Sequence, residues 1–137
     1  MSYEKILVPV VPGSGDEAQP AIDVARTLLA PGGRITVISV FEDLPRYLAV
    51  EAIIEVATME ENREATKKDL VDRFESEDVD VVFTSGNPTR QILDAAEEGG
   101  HGCIVIASAQ PGWQRLFLGS TASGVVRHAR CSVHVLR

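Results

Sequence analysis

The chain has 137 residues, 45% of them apolar, and a formal net charge of −7. That length predicts one domain, residues 1–137, able to bury roughly two-thirds of the surface its unfolded form exposes, and the apolar share is too high for a disordered chain. The acidic balance argues against nucleic acid as a partner, because phosphate backbones are bound through positive fields. Cys103 and Cys131 fall in apolar runs, where a free thiol behaves as a small core residue, so a reducing, cytoplasmic compartment is expected. The opening MSYEKILVPV has no basic stretch ahead of a long apolar one, and no run approaches about 18 apolar residues; neither a signal peptide nor a membrane span is expected.

Taken in chain order, the first apolar run, KILVPVV from Lys5, predicts a strand, with Pro9 near its end where a lost ladder hydrogen bond is bearable. The turn VPGSGDE follows. It lacks the Gly-x4-Gly-Lys-Ser/Thr pattern and any nearby lysine, so it is no P-loop, and Gly13 and Gly15 serve either a turn or a flexible wall beside a ligand. DEAQPAIDVARTLLA from Asp16 predicts a helix opened by acidic residues and closed by Gly32-Gly33. A second strand, RITVISVF from Arg34, leads to a long helix from about Leu48 to Glu75. There Glu64 and Lys68 stand one turn apart on a solvated face, while Leu70, Val71 and Phe74 form an inward stripe. The strand VDVVFTS from Val79 precedes the helix PTRQILDAAEE, which has Pro88 in its first turn and Gly99-Gly100 as its closing cap. The strand GCIVIAS from Gly102 empties into a loop that reaches Gly119-Ser120, the helix STASGVVRHA and the final strand CSVHVLR from Cys131.

Five apolar runs separated by helical segments predict an α/β fold. The runs are continuously apolar, so both sheet faces should be covered by helices: a single doubly wound five-stranded parallel sheet of order 3-2-1-4-5. Ligands of such sheets bind off the strand carboxyl ends where the order reverses, beside strand one. The loops there are VPGSGDE and the stretch after strand four.

In Leu118-Gly119-Ser120-Thr121-Ala122-Ser123, a glycine precedes a helix whose first turn carries hydroxyls. Two readings stand. The unpaired amides at the helix mouth receive an anion, with Gly119 permitting close approach, or Ser120 caps the helix with its own side chain. Catalytic constellations are thin: no Gly-x-Ser-x-Gly elbow occurs, and His101, His128 and His134 share no nucleophile. Cys131 and His134 would point to opposite faces of a strand, so no metal site is expected. Val10-Val11 and Phe83-Thr84-Ser85 stand where a phospho-receiver would need acidic residues.

KILVPV, GNPTRQILDAAEE and above all LFLGSTASGVVRHARCSVHVLR give the chain a likeness: it resembles the universal stress protein family over nearly its full length. The resemblance implies a five-stranded α/β fold, usually homodimeric, in which some members bind ATP and others do not, with roles in stress survival and signalling. The family's ATP pattern is a Gly-x2-Gly-x9-Gly-Ser/Thr string after strand four, plus an aspartate ending strand one. Gly119 and Ser120 match its final pair, Ala107 stands at its first glycine, SAQPG is one residue short, and Val11 holds the aspartate position. The proline-containing loop, Ala109-Gln110-Pro111, resembles a branch in which nucleotide binding is also known. By the same likeness Val40 meets the adenine edge and Gly86 lies near the ribose. Val10, Val11 and Pro12 line the end of strand one, with Ala107, Ser108, Gly119, Ser120 and Thr121 around the phosphates.

The expected ligand is ATP or AMP, with Mg2+ accompanying ATP although no carboxylate in the sequence is evident to hold it. Alanine for a positive-φ glycine and one lost ribose hydrogen bond cost about 2 kcal/mol together, roughly thirtyfold in affinity, which makes a micromolar site one of tens of micromolar. No general base is evident, so the chain is not expected to be an enzyme beyond slow ATP hydrolysis or autophosphorylation at Ser120 or Thr121. The last strand should lie at the sheet edge and pair with a second copy, giving a homodimer. The alternative is a nucleotide-independent dimeric interaction module in which the same loop is structural.

Overall fold

Apolar β-rich runs become strands here because helices cover both their faces. The computed structural model describes residues 2–12, 15–42, 53–108 and 119–137. Five strands, β1 (Tyr3–Pro9), β2 (Leu29–Phe41), β3 (Asp80–Ser85), β4 (Cys103–Ala107) and β5 (Ser132–Leu136), form one sheet of order β3-β2-β1-β4-β5. Every neighbouring pair is parallel. The helices are α1 (Gln19–Leu28), α2 (Ile53–Phe74), α3 (Pro88–Glu98) and α4 (Ser120–His128). The expected fold class and strand order are those observed.

Strand alternation divides the core in two. Ile6, Val8, Val37 and Val105 face Ile22 and Ala25 of α1 and Leu70 and Phe74 of α2. Leu7, Ile38, Ile104 and Ile106 face Ile92 of α3 and Val125 of α4. Burying each of these larger side chains contributes about 1.5–3 kcal/mol, and the two layers fix which helices stand on which side.

Several local expectations change. α1 starts at Gln19, after a tight turn over Gly15–Ala18 that takes up the acidic residues, so they precede the helix rather than open it. Gly32-Gly33 is not a helix cap. Leu29 is already extended and paired with Tyr3, and the two glycines lie inside β2 where its register against β1 shifts between Tyr3 and Lys5. Gly32 has φ +79°, and a Cβ on Gly33 would lie 2.8 Å from the Glu4 carbonyl, so the shift admits little but glycine. Val71 leaves the inward stripe of α2 and is 46% exposed, because Leu70 and Phe74 share the buried side at (i, i+4) spacing and the residue after Leu70 is turned about 100° away from it. Of the long helix expected from Leu48, residues 48–52 lie outside the described residues.

α3 is finished at both ends as its sequence requires. Asn87 Oδ1 accepts from the Arg90 amide at 3.0 Å, Pro88 opens the helix, and Gly100 at φ +68° closes it. The His101 amide donates to Ala96 O and that of Gly100 to Glu97 O, the double bond of a Schellman end. Pro9 ends β1, and β5 lies at the sheet edge.

Candidate functional site

β1 and β4 are neighbours, but α1 leaves β1 on one face of the sheet and α4 follows β4 on the other, so their carboxyl ends part and leave a crevice. A cavity of about 270 Å3 occupies it. Its walls include Val10, Val11 and Pro12 after β1, Val40 near the end of β2, Ala107 at the end of β4, and Gly119, Ser120 and Thr121 at the start of α4. Those eight positions were expected from the sequence, and the fold gathers them in one place.

The start of α4 decides between anion binding and self-capping. Gly119 is the N-cap residue, extended at φ −61° and ψ 157°, and its carbonyl takes the first helical bond from the Ser123 amide at 2.8 Å. Ser120 is therefore the first residue inside the helix rather than its cap, and no side-chain cap hydrogen bond is made there among the described residues. The amides of Ser120, Thr121 and Ala122 precede the first helical bond and belong to the group that lacks partners within the helix. Arg127 and His128 in the last turn complement the other end of the dipole, and about half a positive charge remains at the end that faces the cavity.

Val40 stands on the opposite wall. β1 and β2 last pair at Pro9 and Ile38, after which the Val10 amide donates to Ile38 O and the buried Ser39 hydroxyl donates to Val10 O, each near 2.8–2.9 Å. Ile38 thus turns its carbonyl toward β1. By strand alternation Val40 turns its peptide groups the same way, past the point where β1 has ended. Phe41 points its carbonyl to the other side, where it accepts from the Gly86 amide at 2.9 Å. A peptide N–H and C=O two residues beyond a vanished neighbour form a donor–acceptor edge at the cavity wall.

Gly86 and Ser108 sit apart from this cavity. Gly86, at φ +126°, borders an adjoining space of about 420 Å3 shared with Glu42, Ser120 and Thr121. A Cβ there would lie 3.3 Å from Gln91 Nε2. Ser108 turns away: its amide donates to Leu136 O at 2.7 Å, and its buried hydroxyl has no partner among the described residues. Residues 109–118, with Trp113 and Phe117, and the glycine at position 13 lie outside the described residues.

Two carboxylates escaped the sequence reading. Glu17, in the turn before α1, and Glu42, directly after β2, both line the cavity, so the carboxylates that seemed missing are present. Glu42 could have been found as the first residue past a strand that borders the reversal. Glu17 could not, because the tight turn that presents it was read as helix. Neither thiol is a poised nucleophile, since burial pushes both Cys103 and Cys131 above the ordinary thiol range. Cys131 packs against the α3–α4 core while His134 on β5 is exposed.

The model of the Universal stress protein family matches residues 2–137 of this chain. Universal stress protein MJ0531 of Methanocaldococcus jannaschii is 32% identical over 144 residues, covering 98% of this chain and 82% of that protein. Among solved structures, hypothetical protein MJ0577 superposes with a TM-score of 0.78 at 20% identity over 99% of this chain and 96% of its own. Universal stress protein UspA from Lactobacillus plantarum does so at 0.68 and 23% over 100% and 99%. A universal stress protein solved in complex with cAMP does so at 0.64 and 17% over 100% and 98%. At these identities the structural likenesses establish the fold.

Proposed function

The chain belongs to the universal stress protein family, and from that premise we propose that it is a cytoplasmic stress-signalling protein that binds an adenine nucleotide, ATP or AMP, in the cavity between β1 and β4. One observation carries the reading: a helix start without a side-chain cap among the described residues shares a small cavity with the Val40 peptide edge, so a group that needs anion donors and one that needs a donor–acceptor edge can be met by one ligand. The structural relative with cAMP bound adds that this fold has accepted an adenine nucleotide elsewhere. The adenine edge is assigned to Val40, the ribose to Val10, Val11, Pro12 and Gly86, and the phosphates to Ala107, Gly119, Ser120 and Thr121. Ser108 keeps a place in this set only through its proximity to Ala107.

Glu17 and Glu42 bear on which species binds. Two carboxylates beside a polyphosphate raise its cost, and a divalent cation relieves it. Their oxygen donors are of the kind Mg2+ prefers, so Mg2+ accompanying ATP fits the residues present. The protein is assigned as a binding protein, with ATP hydrolysis or transfer to Ser120 or Thr121 slow at most. The unit that performs this is one domain over residues 1–137, and a homodimer forms through the β5 edge, whose outer backbone has no strand beside it among the described residues.

Isothermal titration with ATP, AMP and adenosine tests the reading. Binding of ATP with Kd of about tens of micromolar, stronger than that of adenosine, is expected. Absence of heat at millimolar nucleotide overturns it and leaves the nucleotide-independent dimeric module, a reading favoured by Val11, which is apolar and 58% exposed where the family pattern has an aspartate. Light scattering at tens of micromolar protein checks the dimer separately, and a monomer mass contradicts it.

A further inference from the structure

One side of α2 changes character along its length. Leu70 and Phe74 are buried beneath the sheet, and one and two turns nearer the helix start the same side carries Lys67 and Arg63. The spacing i, i+4, i+7, i+11 keeps all four in one stripe. The stripe is apolar where it crosses the sheet and cationic where it passes the strand carboxyl ends, the end at which the nucleotide cavity lies.

Arg63 is also held. Its Nη2 donates to the Glu42 carbonyl at 3.2 Å, and its guanidinium carbon lies 5.2 Å from the centre of the Phe41 ring. Lys67, already paired with Glu64, stands farther off at 6.0 Å from Phe41. Arg63 lines a second cavity of about 420 Å3, which adjoins the nucleotide cavity through the shared walls Pro12, Val40 and Glu42. The start of α4 borders the first cavity and the space beside Gly86, and Arg63 lines neither of these. Val40 therefore lies between the two, and Arg63 belongs to the base end of the site rather than to its phosphate end.

We infer that Arg63 is a specificity-determining residue: its guanidinium, backed by Phe41 and tied to Glu42 O, is the platform on which the purine ring stacks while the Val40 peptide groups meet the ring's edge. The inference rests on the nucleotide reading above. A guanidinium suits the task because it is planar, weakly hydrated and attracted to π faces, and its outer face stays available when the inner one lies against an aromatic ring. An ammonium has the charge without the plane.

That difference supplies the test. Adenosine and ATP are titrated by calorimetry into wild type, Arg63→Ala and Arg63→Lys, with circular dichroism to show that both variants remain folded. Both variants should weaken adenosine and ATP by the same factor, about fivefold, and the factor should persist at raised salt. A lysine variant that binds like wild type, or an alanine variant that loses ATP but keeps adenosine, makes Arg63 a phosphate counter-ion and overturns the inference, as does an alanine variant with unchanged affinities. Wild type silent toward both ligands overturns the nucleotide reading along with it.

Discussion

α3 and α4 begin at the same end of the sheet and on the same face, and they begin differently. α3 opens with Asn87, whose side chain takes the Arg90 amide, and Pro88, which has no amide to satisfy. α4 opens with Gly119, which has no side chain to offer, followed by serine and threonine already inside the helix. The first start is closed by its own chain and the second faces a cavity. Glycine at a cap costs a helix only a few tenths of a kcal/mol, so an open start is cheap to keep.

Closing the open start should produce the largest effect. Gly119→Asp gives α4 a carboxylate that accepts from its own first-turn amides and repels phosphate. ATP affinity measured by calorimetry should fall about tenfold or more, roughly 1.4 kcal/mol, while adenosine binding persists and the urea midpoint rises slightly. Equal loss of both ligands would place the phosphates elsewhere. Opening the closed start should act on stability instead: Asn87→Ala is expected to cost about 1 kcal/mol in urea unfolding, and an unchanged midpoint would show that the Asn87–Arg90 bond carries little. Val11→Asp restores the family's acidic residue at an exposed position. It should gain about three- to tenfold in ATP affinity, the worth of one hydrogen bond to ribose, and no gain would remove Val11 from the ribose wall.

The smallest effect lies at the opposite end of the sheet and serves as a control on the comparison. His101, just past the cap of α3, has its pKa held below the ordinary 6.5, first by burial and then by the nearby Lys5 ammonium. Below pH 6.5 the unfolded chain takes up a proton at this ring before the folded one does, so stability should decline as pH falls through the interval from 6.5 down to the folded pKa. Urea midpoints measured across that interval should slope downward with acid in wild type and flatten in His101→Gln. An identical slope in the two proteins would assign the effect to other groups.

Much of the architecture was legible because the signals were local and redundant. Continuous apolar runs, a proline at the first turn of α3 and the paired Gly99-Gly100 each had a single good use. Gly32-Gly33 misled because two glycines after a helical stretch satisfy a C-terminal cap and a register shift equally well, and only the pairing of Leu29 with Tyr3 decides. Of the candidate site, Gly119 and the end of β1 follow from the reversal of strand order, whereas Val40 was legible only through the family resemblance. Glu17 and Glu42 enter through turn geometry, and Arg63 through the stacking of α2 over Phe41, which are tertiary facts without a local pattern.

The central claim is that the amides at the start of α4 receive phosphate, and amide-resolved NMR tests it most directly. In 15N-labelled protein titrated with ATP, the Ser120, Thr121 and Ala122 amides should shift progressively and saturably, the adenosine titration should leave them nearly still, and Val40 should respond to both. If ATP at millimolar concentration leaves those three amides unmoved, the helix start is not an anion site and the account fails.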